Sequence, residues 1–135
     1  MFKVTRVCYE AMLEDSKKRL PNEACGLLSG EEVASTFYSM TNTDQSPVTY
    51  LMDPKEQFQA FKAIRAKGEK MLGIYHSHIA SQAYPSSKDI ALAFYPEVHY
   101  LLVSLENRNA PKVRAFRIQD GTVREEPIEM IEETS

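Results

Sequence analysis

At 135 residues, with 43% hydrophobic and 26% charged side chains, the chain has the length of one domain and the composition of a soluble globular protein, which excludes a disordered, collagen-like or coiled-coil molecule. Sixteen Lys and Arg against nineteen Asp and Glu leave a formal charge of -3. No overall basic field is therefore present to hold a polyphosphate backbone, and nucleic acid is not expected as a partner.

In chain order, the opening residues Met1 to Arg6 lack the apolar run of a secretion signal. No later stretch approaches the roughly 18 consecutive apolar residues of a membrane span. A cytoplasmic protein without membrane association is expected, with Cys8 and Cys25 as thiols. Tyr9, Met12, Leu13, Ser16 and Leu20 follow a helical stripe and predict a helix over Val7 to Leu20, ended by Pro21-Asn22. Glu23 to Ser29 and Val33 to Met40 read as a hairpin about Gly30. Asp53-Pro54 caps a second helix that stops at Gly68, with Phe58, Phe61 and Ile64 on its apolar face. A strand over Met71 to His78, a loop over Ile79 to Pro85 and a short helix over Ser87 to Phe94 follow. Strands over Val98 to Leu105, Lys112 to Gln119 and Thr122 to Pro127 complete the set, the last two joined by a tight turn at Asp120-Gly121. The run containing Glu125, Glu126, Glu129, Glu132 and Glu133 reads as an acidic tail, about 125–135, that is solvated or meets a partner. With no repeat or flexible linker, the expectation is a single α/β domain over 1–135, a mostly antiparallel mixed sheet flanked by helices.

Five residues carry chemistry: Glu23, then His76, His78, Ser86 and Asp89 in the pattern His-x-His, seven residues, Ser, two residues, Asp. On a strand, alternation points His76 and His78 the same way, so two nitrogens aim at one point. Imidazole and carboxylate suit Zn²⁺, and Asp89, returned by the loop, is the natural third ligand of an open catalytic site. Ordinary readings compete. A lone His-x-His is more often a half-buried pair than a metal site, Ser86-x-x-Asp89 before an apolar run is a capping box, and Glu23 alone is a solvated loop residue. His99 has no patterned partner and reads as structural.

Taken together, the five residues resemble the JAB/MPN (JAMM) metalloproteases, whose signature is an upstream Glu followed by His-x-His-x7-Ser-x2-Asp. The similarity extends to Pro21 to Leu28, Gly73 to His78 and Ala83 to Asp89, and spans about Val4 to Pro127. One departure stands out: where the family commonly has proline after the second histidine, this chain has Ile79, so the loop toward Asp89 lacks proline's fixed φ. The resemblance implies a cytidine-deaminase-like MPN fold, zinc on His76, His78 and Asp89, Glu23 as general base and Ser86 steadying the oxyanion. It resembles most the short stand-alone prokaryotic members, which implies cleavage at the C-terminal Gly-Gly tail of a ubiquitin-like, β-grasp sulfur carrier or its amino-acid adduct. Thr49, Tyr50, Gln82 and Tyr84 are groove residues by position alone.

Two other readings stand beside this one. A non-catalytic scaffold of the same fold would bind partners through a sheet edge and the acidic tail, yet this chain keeps every ligand. A cysteine hydrolase would use Cys25, two residues from Glu23, although a buried thiol commonly serves as a small core hydrophobe. A homodimer through an open edge strand is compatible with the sequence and not required by it.

Overall fold

The computed structural model describes residues 1–132. Its elements are β1 (Phe2–Thr5), α1 (Arg6–Lys18), β2 (Cys25–Gly30), β3 (Thr36–Met40), α2 (Pro54–Ala66), β4 (Lys70–His78), α3 (Ser87–Ala91), β5 (His99–Ser104), β6 (Lys112–Gln119), β7 (Thr122–Glu126) and β8 (Ile128–Ile131). Six strands form one sheet in the order β3-β2-β4-β5-β6-β7. Its neighbours are antiparallel except for the parallel pair β4 and β5. This is the mixed, mostly antiparallel α/β architecture expected from the sequence.

The central strands are apolar on both faces because each face is covered by a helix. Cys8 and Met12 of α1 pack with Leu28, Tyr75, Leu101 and Val103 on one side. Ala60 of α2 packs with Leu27, Ile74, Leu102 and Phe116 on the other. Local chemistry sets the helix ends. Thr5 Oγ1 accepts from the Cys8 N–H at the start of α1, and Asp53 Oδ1 accepts from the Lys55 N–H at 2.8 Å with Pro54 in the first turn of α2. Gly26, at the heart of β2, has no room for a side chain, since a Cβ would lie 2.5 Å from the Tyr38 carbonyl oxygen. Asp120 and Gly121 take φ of 52° and 78°, the left-handed pair of a two-residue hairpin turn between β6 and β7.

Three expectations change. In α2 the buried stripe is Ala60 and Ile64 with Phe61 half-buried, whereas Phe58 is 61% exposed with the Lys62 ammonium 5.6 Å from its ring centre. Phe61 and Ile64 keep to the predicted stripe, and Ala60 takes the place on it that Phe58 was expected to hold. The short third helix ends at Ala91 and not Phe94, leaving Leu92 and Phe94 exposed; Pro96 disfavours helical backbone at the residue before it. The acidic tail is not a tail as far as Glu132: β7 runs through Glu126, and β8 pairs in parallel with β1, Phe2 opposite Ile128. Its acids are largely paired, Glu125 with Arg114 at 2.6 and 3.0 Å and Glu132 with Arg6 at 2.7 and 2.9 Å. The half-buried Ile128, Met130 and Ile131 supply the apolar side that the charge run concealed. Glu133 lies outside the described residues. Among the described residues, no helix is long and apolar enough to cross a membrane.

Candidate metal centre

β4 is the spine of the site. Gly73 to His78 are all buried, and alternation puts His76 and His78 with Ile74 on the α2 side while Tyr75 and Ser77 face α1. Because β5 runs parallel to β4, residues 79–98 must cross back over the sheet, and α3 lies within that crossover. The crossover leaves from the end of β4 that carries the histidines, which is how Ser86 and Asp89 reach them.

The three proposed ligands converge. Asp89 Oδ2 stands 3.2 Å from His76 Nε2 and 3.1 Å from His78 Nε2, and the two Nε2 atoms are 3.2 Å apart. A tetrahedral ion with ligands at roughly 2.0 to 2.1 Å has edges of roughly 3.3 Å, so this triangle has the size of one tetrahedral face. Their surroundings aim them. His78 Nδ1 lies 2.9 Å from the Gln82 carbonyl, which requires a proton on Nδ1 and leaves Nε2 as a lone pair in the neutral ring. His76 stacks on Tyr50 with ring centres 4.4 Å apart. Ser86 N–H donates to Asp89 Oδ2 at 2.8 Å while Asp89 N–H donates to Ser86 Oγ at 3.1 Å, the reciprocal capping box. Ser86 Oγ accepts in that contact and keeps its own hydrogen to donate. Two imidazoles and a carboxylate thus fit a divalent ion in number, spacing and orientation.

Charge is distributed accordingly. Burial holds His76 below the ordinary imidazole range, despite Asp89. For His78, burial is outweighed by the bonds to Asp89 and the Gln82 carbonyl, and its affinity for a proton rises. Asp89 is desolvated as well, yet His76 and His78 keep its carboxyl far below the usual range. A cation competes with protons for these same lone pairs.

Glu23, 5% exposed, sits just ahead of β2. The strands bring it in: Cys25 pairs with His76, Ala24 N–H donates to Ser77 Oγ at 2.8 Å, and Ser77 N–H donates to the Ala24 carbonyl at 3.0 Å. Burial lifts the Glu23 carboxyl to about 7, with His78 and Lys88 drawing it down and Asp89 pushing it up. All five predicted residues therefore share one neighbourhood.

The remaining candidates divide. Of the four groove residues, Tyr50 walls His76, Gln82 contributes its backbone carbonyl, Thr49 Oγ1 donates to Asp44 at 3.0 Å, and exposed Tyr84 lies edge-on to Phe116 beside Arg114. Cys25 is fully buried and burial pushes its thiol up to about 12, which removes the thiolate a nucleophile needs. His99 pairs with Gly73 far down β4 and meets Glu126 at 3.1 Å, a structural position. The crossover loop, without a proline at 79, is held by Ile79 packed against the α1-side core, by Leu105 N–H on the His78 carbonyl at 2.9 Å, and by Ser104 Oγ on the Ser81 carbonyl at 2.6 Å. The Gln82 carbonyl that orients His78 has no side-chain signature by which the sequence could announce it.

The family model described as prokaryotic homologs of the JAB domain matches residues 5–119. A CysO-cysteine peptidase of Mycobacterium tuberculosis is 40% identical over 126 residues, 91% of this chain and 86% of that protein. A probable TtuB-protein conjugate cleaving protease of Thermus thermophilus is 34% identical over 115 residues, 82% of this chain and 74% of its own length. The solution structure of protein DSY2949 from Desulfitobacterium hafniense superposes with a TM-score of 0.89 at 42% identity, covering 98% of this chain and 94% of that one.

Proposed function

Since the chain belongs to the family of prokaryotic homologs of the JAB domain, we propose that it is a zinc-dependent peptidase that hydrolyses peptide or isopeptide bonds at the C-terminal Gly-Gly tail of a ubiquitin-like or sulfur-carrier protein, or of its amino-acid adduct. The observation that carries this reading is the triangle of His76 Nε2, His78 Nε2 and Asp89 Oδ2, 3.1 to 3.2 Å on a side, beside the buried Glu23. The names of the Mycobacterium and Thermus relatives support the substrate class. Two buried thiols suit a reducing, cytoplasmic setting, and residues 1–135 would act as one domain.

Zinc on the three ligands would supply a Lewis acid for the scissile carbonyl and lower the pKa of water. The chain's own groups do the rest. Ionised Glu23 takes a proton from the attacking water as its oxygen bonds to the carbonyl carbon, and passes it to the departing amine as the C–N bond breaks. Ser86 Oγ–H donates to the carbonyl oxygen as charge accumulates there. Tyr50 covers His76 and keeps solvent from that side. A Gly-Gly tail suits the site because a chain without Cβ atoms threads a narrow groove.

The test is mass spectrometry of small carriers extended past Gly-Gly, or joined there to an amino acid, incubated with the protein. Cleavage that stops with chelator, returns with zinc and is lost in Glu23→Ala is the expected result. Cleavage by Glu23→Ala at the parent rate would remove the proposed base.

A further inference from the structure

One side chain that the mechanism does not use lies between the two walls of the site. Asn42 is buried, and all four hydrogen-bonding positions of its amide are filled. Nδ2 donates to the Glu23 carbonyl at 3.1 Å and to the Thr49 carbonyl at 3.0 Å. Oδ1 accepts the N–H of Asp44 at 3.0 Å and of Leu51 at 3.1 Å. Its backbone also bridges to Met52. One amide therefore fastens the backbone of Glu23 to both ends of the loop 43–51, and that loop carries Tyr50, the ring stacked on His76. A second tie runs the same way, Glu23 N–H to the Ser46 carbonyl at 2.9 Å. The amide orientation is set by its partners, since reversing it would place N–H groups against N–H groups and oxygen against two carbonyls.

We propose that Asn42 is a positioning residue for the hydrolysis: it holds Glu23 and the Tyr50 loop as one rigid unit against His76, so that the base and the wall of the site keep a fixed distance. The inference rests on the peptidase reading above. A loop of nine residues free to open would let the carboxyl of Glu23 drift, and displacements of about 1 Å at a reacting group cost up to about a hundredfold in rate. Asparagine is the side chain that fits. Aspartate has nearly the same shape but no donors, and would set carboxylate oxygen against the carbonyls of Glu23 and Thr49.

The experiment compares parent and Asn42→Asp, zinc-loaded, on a cleavable carrier well below either melting temperature, reading kcat, KM and bound zinc separately. The expected result is a kcat lower by about 10- to 100-fold with zinc still stoichiometric and KM within about threefold. An unchanged kcat, or a loss confined to KM, overturns the inference. Amide hydrogen exchange on the parent alone covers the case in which Asn42→Asp does not fold: the N–H groups of Asp44 and Leu51 should be protected together with Glu23 N–H, and free exchange at the first two would overturn it equally. Should the parent leave every carrier intact, the peptidase reading falls and takes the inference with it. An active parent matched by an equally active Asn42→Asp sinks the inference alone.

Discussion

Burial lifts the Glu23 carboxyl from its ordinary 4.5 to about 7, so the group proposed as base is also a strain on the fold. The sign follows from linkage. Between pH 4.5 and 7 the unfolded chain has released this proton while the folded chain still holds it, so stability is lost as pH rises through that window and stays lost above it. Two to three pH units correspond to on the order of 3 kcal/mol in the ion-free protein. Glu23→Gln, which has no charge to bury, should therefore melt above the parent at pH 8 in chelator, the gap closing toward pH 4.5. A gap independent of pH, by thermal melts followed in circular dichroism, would show that the carboxyl is not desolvated as its burial implies. The same residue illustrates what sequence can hold at this scale. His76, His78 and Asp89, which converge in the fold, stand out by type and spacing because the return from His78 to Asp89 is short, whereas Glu23 and Ser86 take their proposed roles from the family resemblance. Asn42 and the Gln82 carbonyl do not stand out, since the first looks like any turn asparagine and the second has no side-chain signature.

α3 shows an element whose structural and chemical roles coincide. Five residues cannot sustain a helix on propensity, and none of them is fully buried, so the capping box of Ser86 and Asp89 is much of what defines it. The bonds that start the helix also fix Asp89 Oδ2 against both imidazoles. Ser86→Ala should cost about 1 kcal/mol of cap, most of it local to this exposed turn. The larger effect is on the ion: zinc affinity, measured by competition with a chromogenic chelator, should fall by about tenfold, because Asp89 N–H loses its Ser86 Oγ acceptor and the turn that aims the carboxylate loosens, although Ser86 N–H still donates to Oδ2. Parent-like affinity would mean that Ser86 N–H alone orients Asp89. The end of α3 has no such local mark. Apolar residues to Phe94 suggested a longer helix, but Leu92 and Phe94 face solvent, and hydrophobic type does not reveal which side of a short turn meets the sheet.

β1 and β8, far apart in sequence, pair with each other, and Glu126 draws several parts of the molecule together. Its carboxylate takes His99 of β5 at 3.1 Å, the N-terminal ammonium at 3.0 Å and Arg124 at 3.2 Å. The bond to His99, then the ammonium, hold its carboxyl at about 2 against an ordinary 4.5. A depressed acid stabilises the fold above its unfolded value and loses that stability as pH falls from 4.5 toward 2. His99, which burial holds below 6.5, adds to acid sensitivity because the unfolded chain takes a proton that the folded ring resists. Glu126→Gln should lower the melting temperature at pH 7, and the difference from the parent should shrink between pH 4.5 and 2. An equal deficit at pH 7 and pH 2.5 would place the loss in packing and not in charge.

By itself, the sequence determined the order of most helices and strands and, through the family resemblance it carries, named five candidate residues that the fold brings together. Period, caps and ligand spacing are local properties, written within a few turns of chain. Tertiary structure decided what depends on distant pairing: that Glu23 lies beside His78 because β2 runs antiparallel to β4, that the acidic end becomes β8 because β1 offers it a backbone edge, and that a loop asparagine ties two walls of the site. Those outcomes follow from backbone hydrogen bonds between segments far apart in sequence, and such bonds carry no mark of side-chain type to be read in advance.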